Sequence, residues 1–210
     1  MAGLNVEMRR GKFIVFEGLD GCGKTTQIKR LAAHFSETKM PYLLTAEPTE
    51  APLGKLARDV LRGELSMTAE AFALLFAADR AEHVKKQIQP ALDAGTHVFC
   101  DRFAYSNMAF QGTALPIGRI ATFNEGAISL KPDLTLFIDT EPEECSRRMS
   151  SSRQLEELYD GIKISHKIRE RYFEAFRLYE KFMPVTVIKG NAAENEVYAQ
   201  VLDAVASKFK

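Results

Sequence analysis

One stretch near the start of the chain decides the fold, and it reads Gly18-Leu19-Asp20-Gly21-Cys22-Gly23-Lys24-Thr25. It fits the pattern G-x-x-x-x-G-K-[ST], and the apolar run 13–16 precedes it, so it lies where a strand turns into a helix. Glycines lack side chains, so successive backbone N–H groups can converge on phosphate oxygens. The sequence therefore predicts a phosphate-binding loop (P-loop) rather than a turn that binds nothing.

The residues that end this loop carry the chemistry of a triphosphate site. Lys24 adds a positive charge at the β- and γ-phosphates, and the Thr25 hydroxyl can reach Mg²⁺. Apolar residues at 28, 31, 32 and 35 follow at helical spacing, so a helix N-terminus also faces the anion. We expect ATP to contact every residue from Gly18 to Thr26, and Mg²⁺ to be the cofactor.

Length and composition restrict the class of protein. The 210 residues suit one domain, 1–210. The formal net charge is zero and 27% of the residues are charged, so we expect no nucleic-acid partner and no membrane partner. Three widely spaced cysteines argue against a disulfide framework or a zinc site, which favours a cytoplasmic protein. Residues 1–11 lack an apolar run and are expected to form a flexible tail.

Five short apolar runs alternate with longer segments of helical spacing. The runs are 13–16, 42–44, 98–100, 134–138 and 185–188. The helical segments are 53–61, 68–92, 117–130, 142–149, 162–182 and 194–209. This order predicts an α/β fold with a five-stranded parallel sheet and helices on both faces. The polar, Ser-rich segment at about 149–160 is expected to be a short mobile lid.

Acidic residues follow three of the strands, and open α/β sheets bind ligands beyond the carboxyl ends of their strands. Asp20 follows the first strand, Glu47 the second and Asp101 the third. Asp101 is the candidate to hold Mg²⁺ together with Thr25. Asp139, after the fourth strand, competes for that role, although its position just before a helix favours a turn or cap.

After Asp101 the chain reads Arg102-Phe103-Ala104-Tyr105-Ser106-Asn107-Met108-Ala109-Phe110-Gln111-Gly112. This segment resembles the thymidylate kinase signature D-R-[FYH]-x-x-S-x-x-[AV]-[FY]-[QT]. Segments 13–21, 47–54, 75–80 and 131–139 also resemble that family, so the likeness extends over most of the chain. The resemblance implies a P-loop fold of the nucleoside monophosphate kinase type.

The resemblance also implies an acceptor site for dTMP. Phe76 would stack on the pyrimidine, and Arg80, one helical turn later, would donate to a base carbonyl. Phe72 is left in the core. The remaining acceptor residues implied are Glu47 and Pro48 at the strand-two exit, Ser106 and Gln111 at the base edge, Arg102 at the 5′-phosphate, Phe110 against the sugar and Asp20 at the 3′-OH.

Gly21 determines where the catalytic cation is expected. One subtype of the family has an arginine at this loop position, whereas the other has glycine and takes its arginines from the lid. With Gly21 in the loop, this chain resembles the bacterial-type, lid-arginine subtype. Arg153 is then the expected catalytic cation, together with Lys24, Asp20 and Arg102 at the reaction centre. Arg147 and Arg148 could instead lie on a solvated helix face, or Arg148 could stack on adenine.

The expected activity is Mg²⁺-dependent transfer of the ATP γ-phosphoryl group to dTMP, in the dTTP biosynthesis pathway, by a direct in-line step. The family resemblance also implies a homodimer. Two alternatives stay open. One is a kinase for another nucleoside or nucleoside monophosphate on the same scaffold, and the other is a non-catalytic ATP-binding switch protein.

Overall fold

The five strands form a single sheet, as predicted. The structure is a computed structural model that describes residues 10–149 and 155–209, with the backbone alone for 155–160. The strands pair in the order β2-β3-β1-β4-β5, and every pairing is parallel. Their bounds are β1 Phe13–Glu17, β2 Tyr42–Ala46, β3 His97–Asp101, β4 Leu134–Asp139 and β5 Val185–Lys189.

Helices connect the strands and follow the predicted segments closely. Their bounds are α1 Lys24–Glu37, α2 Pro52–Leu61, α3 Ala69–His83, α4 Gln89–Asp93, α5 Ala104–Phe110, α6 Ile117–Asn124, α7 Pro142–Met149, α8 Leu155–Tyr179 and α9 Glu194–Ala206. Within residues 10–149 and 155–209, no helix combines the length and the apolar composition needed to cross a bilayer.

Two predicted helical segments are divided or shortened, α8 begins before the predicted segment 162–182, and α5 lies outside the predicted segments. The segment 68–92 is divided, because a π-helical turn at Val84–Ile88 separates α3 from α4. The segment 117–130 is helical only as far as Asn124, whose side-chain amide donates to the Ile120 carbonyl at 2.7 Å. Side chains that bond to nearby backbone in this way compete with the helical ladder.

The core has two layers, one on each face of the sheet. Phe99 in β3 and Phe137 in β4 point to opposite faces, since the register pairs them with β1 residues three positions apart. Phe99 packs on Phe35 of α1 with ring centroids 4.8 Å apart, and Phe137 packs on Phe176 of α8 at 5.0 Å. The sheet therefore has helices on both faces, which confirms the predicted fold class.

The predicted tail and lid overlap the folded structure at their edges. Arg10 pairs with Asp133 at 3.1 Å, and the buried Gly11 donates its N–H to the Leu92 carbonyl at 2.8 Å, so these two residues belong to the fold. In the lid segment, Met149 ends α7 and α8 begins at Leu155. Residues 150–154, including Arg153, lie outside the described residues.

Candidate active site

The phosphate-binding loop adopts a backbone that requires glycine. Gly21 has φ 79° and Gly23 has φ 103°, values in the left-handed region. A Cβ atom at Gly21 would also lie 2.5 Å from the Cys145 carbonyl oxygen. The loop therefore passes against the backbone of α7 with no room for a side chain.

Lys24 is buried under this loop. Its Nζ atom donates to the Gly18 carbonyl at 3.1 Å and to the Leu19 carbonyl at 2.9 Å. An ammonium with three donors that is held by loop carbonyls can exchange one of them for a phosphate oxygen. The geometry places a fixed positive charge at the base of the loop, where a triphosphate would lie.

A cavity of about 810 Å³ opens in front of the loop. Asp20 to Gln27 line one side, and α7 and the turn after β5 line the other. Arg148 joins the two sides, since it donates to the Cys22 carbonyl at 3.2 Å and to the Gly190 carbonyl at 3.1 Å. Glu144 accepts from both Arg148 and Arg147, and these arginines lower the pKa of its carboxyl to about 2, with Arg147 the larger cause.

The residues predicted to hold Mg²⁺ meet at the edge of this cavity. Thr25 Oγ1 lies 3.3 Å from Asp101 Oδ2, and Asp101 Oδ1 is buried without a hydrogen-bond partner. A buried carboxylate oxygen without a donor fits a cation. Among the described residues no group of three His, Cys, Asp or Glu could hold a metal, so Mg²⁺ here would complete its shell with phosphate oxygens and water. Asp139 instead pairs with Arg169 at 2.6 Å, a structural role.

A second cavity, of about 330 Å³, meets the first. All the residues predicted for the acceptor site line it. The complete lining is Asp20, Glu47, Pro48, Arg58, Leu61, Phe76, Arg80, Arg102, Phe103, Ser106, Asn107, Phe110 and Gln111. Both cavities include Asp20, Glu47 and Arg102, so these three residues mark the junction.

Arg102 stands at that junction in a constrained conformation. Its φ of 73° is uncommon for a residue with a side chain, and its N–H donates to the Phe16 carbonyl at 2.8 Å. Nη2 pairs with Asp20 at 2.7 Å, and the guanidinium lies 4.7 Å from the Phe110 ring centroid. Burial disfavours the charged form, but Asp20 and other carboxylates nearby raise the pKa of Arg102 above its ordinary value.

Arg80 forms the floor of the second cavity and is only 1% exposed. Its Nη2 pairs with Glu47 Oε2 at 2.7 Å and donates to the Phe103 carbonyl at 3.1 Å. Nη1 donates to Asn107 at 3.4 Å and to Asn124. Nε is buried without a partner. The predicted base reader is therefore a rigid group whose remaining donor is Nε.

Phe76 and Phe110 supply the aromatic walls of this cavity. Both are half-buried, and the Phe76 ring packs at 4.9 Å from Phe72, which is itself half-buried rather than in the core. Phe110 lies against Arg102. The volume of about 330 Å³ and this mixture of aromatic and polar lining suit a small ring such as a pyrimidine.

Sequence reasoning missed several residues of the site. Asn107 and Arg58 line the second cavity, and Arg58 donates to the Pro48 carbonyl at 2.8 Å. Glu17 and Tyr172 are buried beneath Arg102. Asn107 could have been found, because it lies inside the signature segment. The role of Tyr172 could not be predicted from the sequence, because the residue falls in an apolar stripe at helical spacing and looks like a core residue.

Comparisons with known proteins agree with this geometry. The chain matches the family model described as thymidylate kinase over residues 16–201. It is 39% identical over 202 residues to a probable thymidylate kinase of Pyrococcus abyssi, covering 93% of this chain and 96% of that protein. It is 38% identical over 204 residues to a probable thymidylate kinase of Methanococcus maripaludis, with 94% and 96% covered. A thymidylate kinase of Clostridium novyi is 35% identical over 202 residues, with 92% and 98% covered.

The matched span contains the loop, the lining of both cavities, the end of β1 and the whole of β2 to β5. The identities hold over nearly the full length of each relative. The chain therefore belongs to the thymidylate kinase family of nucleotide-binding kinases.

Proposed function

We propose that this protein transfers the γ-phosphoryl group of ATP to dTMP and produces ADP and dTDP. One observation supports this more than any other: the cavity in front of the phosphate-binding loop meets the acceptor cavity at Asp20, Glu47 and Arg102. A nucleoside monophosphate kinase binds two anionic substrates whose phosphates must face each other, and such a junction suits them. The names of the relatives supply the identity of the acceptor.

The larger cavity is assigned to ATP. Loop amides and Lys24 would hold the β- and γ-phosphates, and the N-terminus of α1 adds partial positive charge. Arg148 lies on the far side of this cavity, where its guanidinium would stack on the face of the adenine. The volume of about 810 Å³ suits a nucleoside triphosphate.

The smaller cavity is assigned to dTMP. Phe76 would stack on thymine and Phe110 would lie against the deoxyribose, where an apolar ring disfavours a 2′-OH. Arg102 would bind the 5′-phosphate, for which a planar guanidinium is suited. Asp20 would accept a hydrogen bond from the 3′-OH.

Asp101 and Thr25 would hold Mg²⁺, which when bound neutralises charge on the transferring phosphate and its leaving group. We assign the remaining charge stabilisation to Lys24, the loop amides and Arg153 of the lid segment. The transfer is proposed to be in-line and direct, because the 5′-phosphate oxygen of dTMP is already an adequate nucleophile and only needs positioning.

Two experiments test this assignment. Incubation with ATP, Mg²⁺ and dTMP should form ADP and dTDP in equal amounts, measured by chromatography. Formation of ADP alone would indicate an ATPase or a different acceptor. With a γ-phosphate made chiral by oxygen isotopes and sulfur, one in-line step inverts configuration at phosphorus. Retention would indicate a phosphoenzyme and contradict the direct step.

We also infer a homodimer and a cytoplasmic location. Apolar side chains of the α2–α3 region, among them Leu65 and Leu74, are exposed on the surface. A second copy could cover such a surface. The three cysteines are free and buried, which suits a reducing compartment. Sedimentation equilibrium at micromolar concentration tests the dimer, and a monomeric mass would contradict it.

A further inference from the structure

Three polar residues from different elements meet beneath Arg102. Glu17 ends β1, Ser106 lies in α5 and Tyr172 lies in α8. Arg102 Nη1 donates to Ser106 Oγ at 3.0 Å and to the Tyr172 hydroxyl at 3.2 Å. Both hydroxyls lie within hydrogen-bond distance of Glu17 Oε2, with the Tyr172 oxygen at 3.0 Å. Arg102 and Glu17 are thus connected through two hydroxyl groups.

A guanidinium can only donate and an ionised carboxylate can only accept, so both hydroxyls accept from Arg102 and the network ends on Glu17. The two hydroxyl oxygens also lie 2.8 Å apart, so each hydroxyl proton goes either to Glu17 or to the other hydroxyl. The backbone N–H groups of Phe103 and Ser106 donate to Glu17 Oε1 at 2.9 Å and 3.1 Å. Two backbone N–H groups and at least one hydroxyl therefore donate to this carboxylate, so Glu17 is committed to the network and is not available to a substrate.

Burial makes this arrangement rigid. Glu17 and Tyr172 are 0% exposed and Ser106 is 7% exposed. In a poorly solvated site, a hydroxyl that loses its charged partner has no water to replace it. Burial also raises the pKa of the Tyr172 hydroxyl well above its ordinary value, so the phenol keeps its proton.

The two ends of the Arg102 guanidinium have different surroundings. Nη1 is held inside the network, whereas Nη2 faces the junction and pairs with Asp20, whose side chain is 71% exposed. An incoming phosphate can therefore reach Nη2 but not Nη1. Rotation of the guanidinium about its last bonds would break the contacts of Nη1, so whatever holds Nη1 also aims Nη2.

We propose that Tyr172 is a positioning residue for the phosphoryl transfer, whose hydroxyl, anchored on Glu17, aims Arg102 at the phosphate of the acceptor. This inference rests on the proposed function, in which Arg102 binds the 5′-phosphate of dTMP. Tyr172 belongs to α8, whose first residues, 155–160, fall within the segment expected to be the lid. The same helix therefore connects that segment to the arginine proposed to bind the acceptor.

The test compares two buried tyrosines. Tyr172→Phe removes only the hydroxyl, and Tyr105→Phe is the matched control, because Tyr105 is 2% exposed and donates instead to the Met183 carbonyl at 2.8 Å. Affinities for dTMP and for thymidine, which lacks the phosphate, are measured by calorimetry. We expect Tyr172→Phe to weaken dTMP about 10-fold and to leave thymidine binding and the KM for ATP unchanged. Tyr105→Phe should bind dTMP like the wild type.

Three results would overturn the inference. The first is equal dTMP affinity in the two variants, and the second is an equal loss of dTMP and thymidine binding in Tyr172→Phe. The third concerns the double variant. In an Arg102→Ala background, Tyr172→Phe should change dTMP affinity less than about 2-fold, and the same loss as in the wild-type background would contradict the inference. If the wild type binds dTMP without phosphorylating it, the proposed function fails but the comparison of variants still decides the role of Tyr172. Wild-type protein that binds no dTMP would overturn both.

Discussion

Asp20 and Arg102 are 82 residues apart in the chain, and their side chains meet at 2.7 Å where the two cavities join. The pair connects the phosphate-binding loop to the exit of β3. The Asp20 side chain is 71% exposed, so a substrate that enters the junction can reach its carboxylate.

We expect Asp20→Ala to abolish discrimination for the 3′-OH of the acceptor. A hydrogen bond to a charged group contributes about 1.5–3 kcal/mol, so the wild type should prefer dTMP over its 3′-deoxy analogue by about 10- to 100-fold in kcat/KM. In Asp20→Ala the two substrates should react at similar rates. A preference that survives the substitution would place the 3′-OH elsewhere.

Phe76→Ala should weaken dTMP binding by about 10-fold or more, because stacking on a base contributes about 1–3 kcal/mol. Phe72→Ala is the control, since Phe72 touches Phe76 but does not line the acceptor cavity. Calorimetric titration with dTMP measures both. Equal losses in the two variants would mean that Phe76 acts only through packing.

Gly21→Ala should destabilise the loop by more than its backbone angle alone explains. Gly63 has a similar φ of 75° with nothing within 4 Å of a Cβ, so Gly63→Ala reports the conformational cost, about 1–2 kcal/mol. At Gly21 the Cβ also meets Cys145 and Met149. Urea unfolding should show the larger loss for Gly21→Ala, together with weakened ATP binding. Equal losses would show that α7 moves aside.

Arg153→Ala should lower kcat by roughly 10³- to 10⁵-fold, the range found where an arginine stabilises the transferring phosphate, and should leave dTMP affinity similar. Arg147→Ala is the comparison, since Arg147 already pairs with Glu144 at 2.6 Å. Single-turnover kinetics separates the chemical step from binding. An unchanged rate in Arg153→Ala would move the catalytic cation to Arg147 or Arg148.

Glu17 predicts a dependence of stability on pH. Burial raises the pKa of its carboxyl above the ordinary 4.5, so the folded protein keeps this proton to higher pH than the unfolded chain does. The stabilising contribution is complete below about 4.5 and is lost as the pH rises through the raised pKa. The Glu17→Gln side chain does not titrate, so the stability of this variant lacks that pH dependence. The free energy of unfolding of the wild type should therefore fall relative to Glu17→Gln from pH 4.5 upward. Parallel curves in urea titrations would contradict this.

The sequence was informative where chemistry is local in the chain. The strands followed from short apolar runs, and the phosphate-binding loop from consecutive residues. Residues at strand ends could be placed near one another, because parallel strands share a carboxyl edge. The network beneath Arg102 could not be predicted in this way. Tyr172 lies 70 residues beyond Arg102, and in sequence it looks like one more core aromatic of α8.

The sequence pattern also could not predict that the segment 68–92 forms two helices instead of one. A π-helical turn shifts the helical period by one residue, and periodicity over a long window averages this shift away. The buried ion pair between Arg80 and Glu47 likewise depends on how α3 packs near the end of β2. No local sequence pattern predicts that these two side chains meet.

In the proposed function, the junction of the two cavities brings the phosphates of ATP and dTMP together. The most direct measurement is kcat/KM in an assay coupled to ADP release, with dTMP, dCMP, AMP and UMP as acceptors at saturating ATP and Mg²⁺. We predict that dTMP gives the highest value. Faster turnover of dCMP, AMP or UMP than of dTMP would contradict the account.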